Sequence, residues 1–370
     1  MIKFLSKLLK TTNIFLVVIY LLACLIPFLP AGRFWWIAVM GLVFPLLFFM
    51  VAGFLIGWII ARSRWYLLSL VALLLSWKQL PVMAGLNMPT SFAIAKSDKT
   101  LRVLTWNISS WGETNKNSDG RYTVRPRMID LIYDQKADVL CFQEFIDTKG
   151  VHFHDSIIPL LAEEGYRYSY YVPTIMHGKT LKMGVAIISK YPFVDTAHFR
   201  YGENDFAEHL IYADILFNQQ KIRVFTTHLQ SVRFDEQEYA ALRKIKQTDE
   251  AGLEDSKTIV RKLRDAYKYR GAEADLVKQK IAESPYPVII CGDFNDVPNS
   301  YTYFTIKGDL QDAFLKKGMG LGRTFQYLSP TLRIDYILAD KAFRIKQYSR
   351  LKVPYSDHYP VLTDLEFKDR

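Results

Sequence analysis

The first 95 residues carry seven Lys or Arg and no Asp or Glu, whereas the rest of the chain sets 40 basic residues against 37 acidic ones. Most of the formal charge of +10 therefore belongs to the first quarter of the sequence, and the remainder is nearly neutral. Within that first part, Asn13 to Leu29 is apolar over about 17 residues and Phe34 to Ile60 over about 27, the latter amply long for a hydrocarbon core of roughly 30 Å. A third candidate span, Trp65 to Leu86, loses its apolar character at Lys78-Gln79, although Trp65, Tyr66, Trp77 and Lys78 suit the membrane interface. Residues 1–95 are thus expected to form a membrane anchor of about three transmembrane helices. Residues 96–370 are long enough for one well-buried α/β domain.

Lys3, Lys7 and Lys10 precede the first span, and Arg62 and Arg64 separate the second from the third, so the positive-inside rule places the N-terminus in the cytoplasm. Three spans leave the following domain on the extracytoplasmic or periplasmic face of the inner membrane. If Trp65 to Leu86 only lies on the surface, the domain turns cytoplasmic. A cleaved signal peptide is disfavoured, because Leu29-Pro30-Ala31-Gly32 is a poor small-residue cleavage site. Cys24, Cys141 and Cys291 all fall in apolar runs and imply no disulfide framework.

From Ser97 the pattern alternates strands and helices. Leu101 to Trp106 reads as a strand, Arg125 to Gln135 as a helix through Met128, Ile129, Leu131 and Ile132, and Val139 to Phe142 as the next strand. Further strands are expected at Gly184 to Ser189, His209 to Phe217, Lys221 to Thr227, Pro287 to Cys291, Ile334 to Ala339 and Pro360 to Leu365, with a hairpin at Phe217-Asn218-Gln219-Gln220. Hairpins beside crossovers predict a mixed sheet. Phe234 to Ser284 reads as two charge-rich helices separated near Glu250-Ala251-Gly252, their mixed charges marking a solvated face.

Polar motifs follow several of these strands. Glu144, at the end of an apolar strand, offers a carboxylate to a hard cation such as Mg²⁺. Asn107 could add a carbonyl oxygen, although an Asn at a strand end is usually a turn residue. Asp293 and Asn295, two apart on an extended segment, point to one side, where they can orient water and hold a phosphate oxygen. His228 and His358 can stabilise a developing phosphorane or protonate a leaving group, and Asp335 can hold an imidazole in one orientation. A phosphodiester, which repels nucleophiles by its own charge, needs such a set.

The ordered series Trp106-Asn107, Gln143-Glu144, Thr227-His228, Gly292-Asp293-Phe294-Asn295, Arg333-Ile334-Asp335-Tyr336 and Ser356-Asp357-His358-Tyr359-Pro360-Val361 resembles the endonuclease/exonuclease/phosphatase superfamily over about residues 100 to 367. The resemblance implies an α/β four-layer sandwich of two mixed β-sheets flanked by helices, and a Mg²⁺-dependent phosphoester hydrolase, with Mn²⁺ as the alternative ion. It further implies Asn107, Glu144 and Asp357 at the metal, Asp293 activating water, Asn295 on the phosphate, His358 held by Asp335, and His228 as phosphate ligand or acid.

The substrate stays open between nucleic acid, cut by a phosphodiesterase or endonuclease, and a lipid headgroup, cut by a sphingomyelinase-like phosphodiesterase or phosphatase. A non-catalytic membrane interaction protein is the third reading, disfavoured by the complete motif set. A near-neutral domain lacks the broad basic field of a nucleic-acid binder, while the anchor would tether the enzyme beside lipid. Trp111 and the cluster Tyr166, Tyr168, Tyr170 and Tyr171 are candidate membrane or headgroup contacts, and Arg121, Arg125, Arg127 and the His177 loop candidate specificity elements. No protein partner can be inferred.

Overall fold

Leu101–Asn107 and Val288–Asp293 are buried along their whole length, as strands are when both faces of their sheet are covered. In the computed structural model, which describes residues 2–112, 124–147, 156–176, 181–202, 208–232 and 253–368, each lies within a six-stranded mixed sheet. One sheet has the order β13 (Phe343–Arg350), β14 (Val361–Phe367), β2 (Leu101–Asn107), β3 (Val139–Phe145), β5 (Leu181–Ser189) and β4 (Tyr168–Met176). The other has the order β10 (Gln311–Asp312), β12 (Asp335–Ala339), β9 (Val288–Asp293), β8 (Gln220–His228), β7 (His209–Phe217) and β6 (Phe193–Arg200). A small separate pair joins β1 (Gly85–Leu86) to β11 (Met319–Gly320).

All these strands belong to one compact unit, Gly85–Ser231, Asp275–Asn295 and Ile306–Arg370. Its sheets pack face to face through Val103, Val139, Val185 and Ile187 on one side and Ile211, Val224, Ile289 and Ile337 on the other. Leu104, Trp106, Leu140 and Phe142 line the outer face of the first sheet. There they meet Met128 and Ile132 of helix Val124–Gln135 and Ile157 and Leu161 of helix Ile157–Glu163. The expected α/β sandwich of two mixed sheets flanked by helices is the observed fold.

Topology sets the position of the polar motifs. Each sheet contains one parallel pair, β2–β3 and β8–β9, while β14 and β12 run antiparallel to β2 and β9. The C-terminal ends of the four parallel strands therefore share a rim with the N-terminal ends of β12 and β14.

The second unit comprises Met1–Ala84, Val232–Ala274 and Asp296–Thr305. Two of its helical stretches, Lys3–Phe28 and Trp35–Ile60, are long and apolar enough to cross a membrane. The third expected span is broken: Tyr66–Leu75 and Leu80–Met83 are separate helices, and ten residues of helix rise only about 15 Å. Polar residues make the interruption, since the Ser76 hydroxyl turns back onto the Leu73 carbonyl and the Gln79 side chain donates to the Cys24 carbonyl. Ser69 donates to Asn13 at 3.1 Å, pairing two buried polar groups between the first helix and Tyr66–Leu75. At the far end of the first helix, Ala31 and Ala38 cluster with Tyr267 of helix Leu253–Ala282. A Cβ on Gly41 would stand 2.4 Å from the Asn299 carbonyl, so that backbone approach requires glycine.

Several expectations change. Trp111 is fully buried, its indole donating to Ile146 O at 3.1 Å and its ring edge-on to Phe142 and Phe145, so it is a core residue and offers no membrane contact. Tyr166 is likewise buried, bonded to Ala137 O at 2.9 Å, and Arg125 is buried too. Tyr168 alone of the four tyrosines is exposed. Arg121, His177 and the first charge-rich helix, expected over 234–250, lie outside the described residues.

Fully buried Arg102 holds the middle of the first sheet to both flanks. Its guanidinium grips Asp364 of β14 at 2.7 and 2.9 Å and also donates to the Gln135, Ala93 and Ile94 carbonyls. Replacing Asp364 by Ala strands that cation without its counter-ion. The variant is expected to lose about 3–5 kcal/mol of unfolding free energy, read by denaturant unfolding of the full chain in detergent, and a loss under about 1 kcal/mol would contradict this account.

Candidate active site

The ladder of the second sheet lines up three site residues side by side. His228 pairs with Asp293 across β8–β9, and Asp293 with Asp335 across β9–β12. Gly292 permits this, because its φ is 135° and a Cβ there would sit 2.1 Å from the Thr227 carbonyl. Asn295, at φ 51°, turns the chain so that its own N–H donates to Asp293 Oδ1 at 2.8 Å and its side chain to Leu229 O at 2.9 Å. Asp293 Oδ2 is left facing the rim.

The first sheet supplies the other half. β3 breaks register with β5 between Phe142 and Phe145, and within that bulge Glu144 adopts φ 52°. The bulge redirects the Glu144 side chain toward the rim. Gln143, buried beneath, donates to Thr226 Oγ1 of β8 at 2.9 Å and to Thr105 Oγ1 of β2 at 3.2 Å, a polar cross-link between the sheets. Ser356 donates to the Asn107 carbonyl at 2.7 Å and accepts from His358 N at 3.1 Å, and Trp106 Nε1 donates to His358 O at 2.9 Å. These bonds fix the Ser356-Asp357-His358 turn against the end of β2.

At the rim, Asp293 Oδ2 has Asn107 Nδ2 at 3.1 Å, His228 Nε2 at 3.6 Å and His358 Nε2 at 3.6 Å. Asn107 Nδ2 also reaches Glu144 Oε1 at 3.2 Å, which lies 3.9 Å from His228 Nε2. His358 Nδ1 bonds Asp335 at 3.0 Å, as the sequence leads one to expect. Residues that motif reading missed support both imidazoles. Glu208 Oε1 lies 3.5 Å from His228 Nδ1, Thr324 Oγ1 accepts from Ile334 N and Asp335 N, and the Phe325 ring stands edge-on to His358 at 5.0 Å. The only sequence signal for Glu208 is a charged Glu-His pair opening a strand that is otherwise almost wholly apolar.

Burial drives the electrostatics. It pushes the Asp293 carboxyl up to about 6 against the pull of His358 and His228, with Asp335 adding to the rise. Burial alone would lower the histidines, but Glu208, Asp293 and Glu144 outweigh it and bring His228 to about 9, and Asp335 with Asp293 lift His358 well above its ordinary range. Burial also raises Glu144, helped by the Asp357 charge and opposed by His228 and His358. The rim thus favours protonated imidazoles on either side of a carboxyl that burial holds above its ordinary range.

The donor set suits a hard divalent cation, since oxygens predominate and carboxylates crowd together. Among the described residues, ligand atoms of Asp293, Asp335 and His358 come within 4.8 Å of one another. The His358 Nδ1 bond to Asp335 leaves Nε2 turned toward Asp293. Asn107 turns its amide nitrogen toward Glu144 and Asp293, while its Oδ1 accepts from Ser109 N at 3.1 Å.

Residues 104–358 match the endonuclease/exonuclease/phosphatase family, and residues 6–83 match a domain of unknown function, DUF8431. No curated protein matches the chain. An endonuclease/exonuclease/phosphatase from Beutenbergia cavernae is similar at 21% identity over 72% of each chain, with a TM-score of 0.53. The human nocturnin catalytic domain, solved with a bound sulfate anion, is similar at 20% identity over 73% of this chain and 94% of that one, with a TM-score of 0.51. A family protein from Bacteroides thetaiotaomicron is similar at 20% identity over 73% and 95%, with a TM-score of 0.50. At such identities the structural likeness speaks for the fold, and it agrees with a family match covering more than two thirds of the sequence. The chain belongs to the endonuclease/exonuclease/phosphatase family.

Proposed function

We propose that this chain is a membrane-anchored, divalent-metal-dependent phosphoester hydrolase that promotes attack of water on phosphorus at the Asp293 rim. The observation that carries the reading is the set of three nitrogens facing one carboxylate oxygen: His228 Nε2, His358 Nε2 and Asn107 Nδ2 all lie within 3.6 Å of Asp293 Oδ2. Family members are typically phosphoester hydrolases, and this geometry explains how these residues would serve one.

A divalent ion, Mg²⁺ or Mn²⁺, held by Glu144 and Asp357 would neutralise phosphate charge and stabilise the departing oxygen. Asp293, with Oδ1 tied to Asn295 N, directs Oδ2 at a water and takes its proton; a carboxyl near 6 is largely ionised at neutral pH yet basic enough to help. His358, kept protonated by Asp335, donates from Nε2 to a non-bridging oxygen, and His228, kept protonated by Glu208, does so from the facing strand or protonates the leaving oxygen. Asn295 helps hold the phosphate at the same turn.

The anchor reading rests on packing inside the unit that holds the apolar helices. Lys3, Lys7 and Lys10 begin a helix of 23 residues, about 34 Å long, whose other end leads to Ala31 and Ala38 beside Tyr267. The segment from Tyr66 to Met83 returns to that end, where Asn299 donates to the Gln79 carbonyl at 3.1 Å. The polar side chains at its mid-segment break, Ser76 and Gln79, are buried and hydrogen-bonded, the condition under which broken helices persist at membrane depth. With Lys3, Lys7, Lys10, Arg62 and Arg64 cytoplasmic, the segments around Tyr267 and Asn299 fall on the extracytoplasmic side.

Full-length protein in detergent, assayed with Mg²⁺ or chelator on duplex DNA, RNA, phospholipid and a chromogenic diester, tests the reading. Metal-dependent turnover is expected, falling roughly 10²–10⁴-fold in Asp293→Ala. Glu144→Gln should raise the metal concentration for half-maximal rate by at least ~10–100-fold. Turnover that ignores chelator, or survives Asp293→Ala, would defeat the proposal.

His228 also links stability to pH. Its folded value of about 9 exceeds the ordinary 6.5, so the stabilisation it gives is fully present below about 6.5 and is lost as pH rises through about 9. The metal-free protein should therefore show a thermal midpoint that falls across this window, and Glu208→Gln should flatten the fall. A midpoint that rises across the window would contradict the charge arrangement.

A further inference from the structure

Leu86, Met88 and Met319 are 93%, 85% and 62% exposed, and the site uses none of them. They are held in place. Leu86 pairs with Met319 across β1–β11, and Asn87 turns inward, its N–H donating to Gly318 O at 3.3 Å and its amide to Leu315 O and Gly318 O at 3.0 and 2.9 Å. A Cβ on Gly85 would lie 2.3 Å from Gly318 O, so this strand end is seated closely. Alternation along the extended chain then sends Leu86 and Met88 outward together. Lys316 and Lys317 are exposed in the adjoining helix Ala313–Lys317, and neither 84–97 nor 313–334 contains a single Asp or Glu.

Rigidly presented apolar side chains with lysines and no acid nearby fit the interface of an anionic bilayer. A single-stranded nucleic-acid groove would call for stacking aromatics along a basic track, which Leu and Met do not provide. Chain continuity favours the bilayer as well, because Leu86 follows Met83, the end of the apolar segment, by three residues. Beyond Met319, six residues bring the chain to Phe325 against His358, and Gln326 N then donates to Asp357 O at 2.8 Å. Six residues reach at most roughly 20 Å.

We infer that the β1–β11 tip, formed by Leu86, Met88 and Met319 with Lys316 and Lys317, rests in the lipid interface and holds the rim at the headgroup layer, and that the substrate is a phospholipid phosphoester. The substrate half of this rests on the hydrolase reading above; the contact surface does not.

The test uses the full chain reconstituted in phosphatidylcholine/phosphatidylglycerol vesicles. Met319→Cys, labelled with an environment-sensitive fluorophore, is expected to be quenched several-fold more by lipids bearing a shallow nitroxide than the same label at Val194→Cys, an exposed position on β6. Equal quenching at the two positions overturns the contact. A Leu86→Ser/Met319→Ser double variant is expected to lose roughly tenfold in turnover of vesicle phospholipid while hydrolysing a soluble chromogenic diester at the parental rate. Lipid turnover that is unchanged, or nucleic acid cleaved in preference to phospholipid by the parent protein, overturns the substrate assignment. Absence of soluble-diester hydrolysis in the parent instead defeats the hydrolase reading, and the quenching result still decides the surface.

Discussion

Burying the Asp293 carboxylate completely at the end of β9 demands positive charge beside it, and the arrangement of both sheets answers that demand. His228 arrives from the neighbouring parallel strand and His358 from the turn before β14, each 3.6 Å from the same oxygen. Each imidazole then needs its own carboxylate, Glu208 and Asp335, to stay protonated in a buried place. Charge alternates outward from Asp293 through two histidines to two further acids, so the site is one electrostatic unit.

Backbone geometry makes the alternation possible. Glu144, in the β3 bulge, and Asn295, just after β9, both sit at positive φ, a conformation that Asn adopts readily and Glu more rarely. Gln143 between Thr105 and Thr226 ties the two parallel strand pairs together below the rim, in place of the apolar contacts used deeper in the sandwich. A buried amide satisfied from both sheets fixes their relative register more narrowly than side-chain packing does.

Much of this was legible in the sequence because polar motifs at the ends of apolar runs can only be strand ends, and Asn107, Glu144, His228, Asp293, Asp335 and His358 do meet. Glu208 was not legible, since its partner His228 lies twenty residues away and only the β7–β8 hairpin brings them together. The edge strands β6 and β13 escaped for another reason: paired on one side only, they mix exposed residues with buried and half-buried ones and lack the continuous apolar signature of the centre. Trp111 was misjudged because a tryptophan in a polar loop looks exposed until Phe142 and Phe145 are placed beside it. The break in the third apolar segment depends on Gln79 reaching Cys24, a contact between distant residues that hydropathy does not encode.

The proposed reaction is attack of water on phosphorus, and isotope tracing examines that step itself. Hydrolysis of a chromogenic phosphodiester by the full-length protein in ¹⁸O-labelled water, followed by mass analysis of both products, would locate the bond that is broken. The account predicts metal-dependent release with one solvent oxygen in the phosphomonoester and none in the alcohol. Label in the alcohol, or equal release with chelator present, would contradict it.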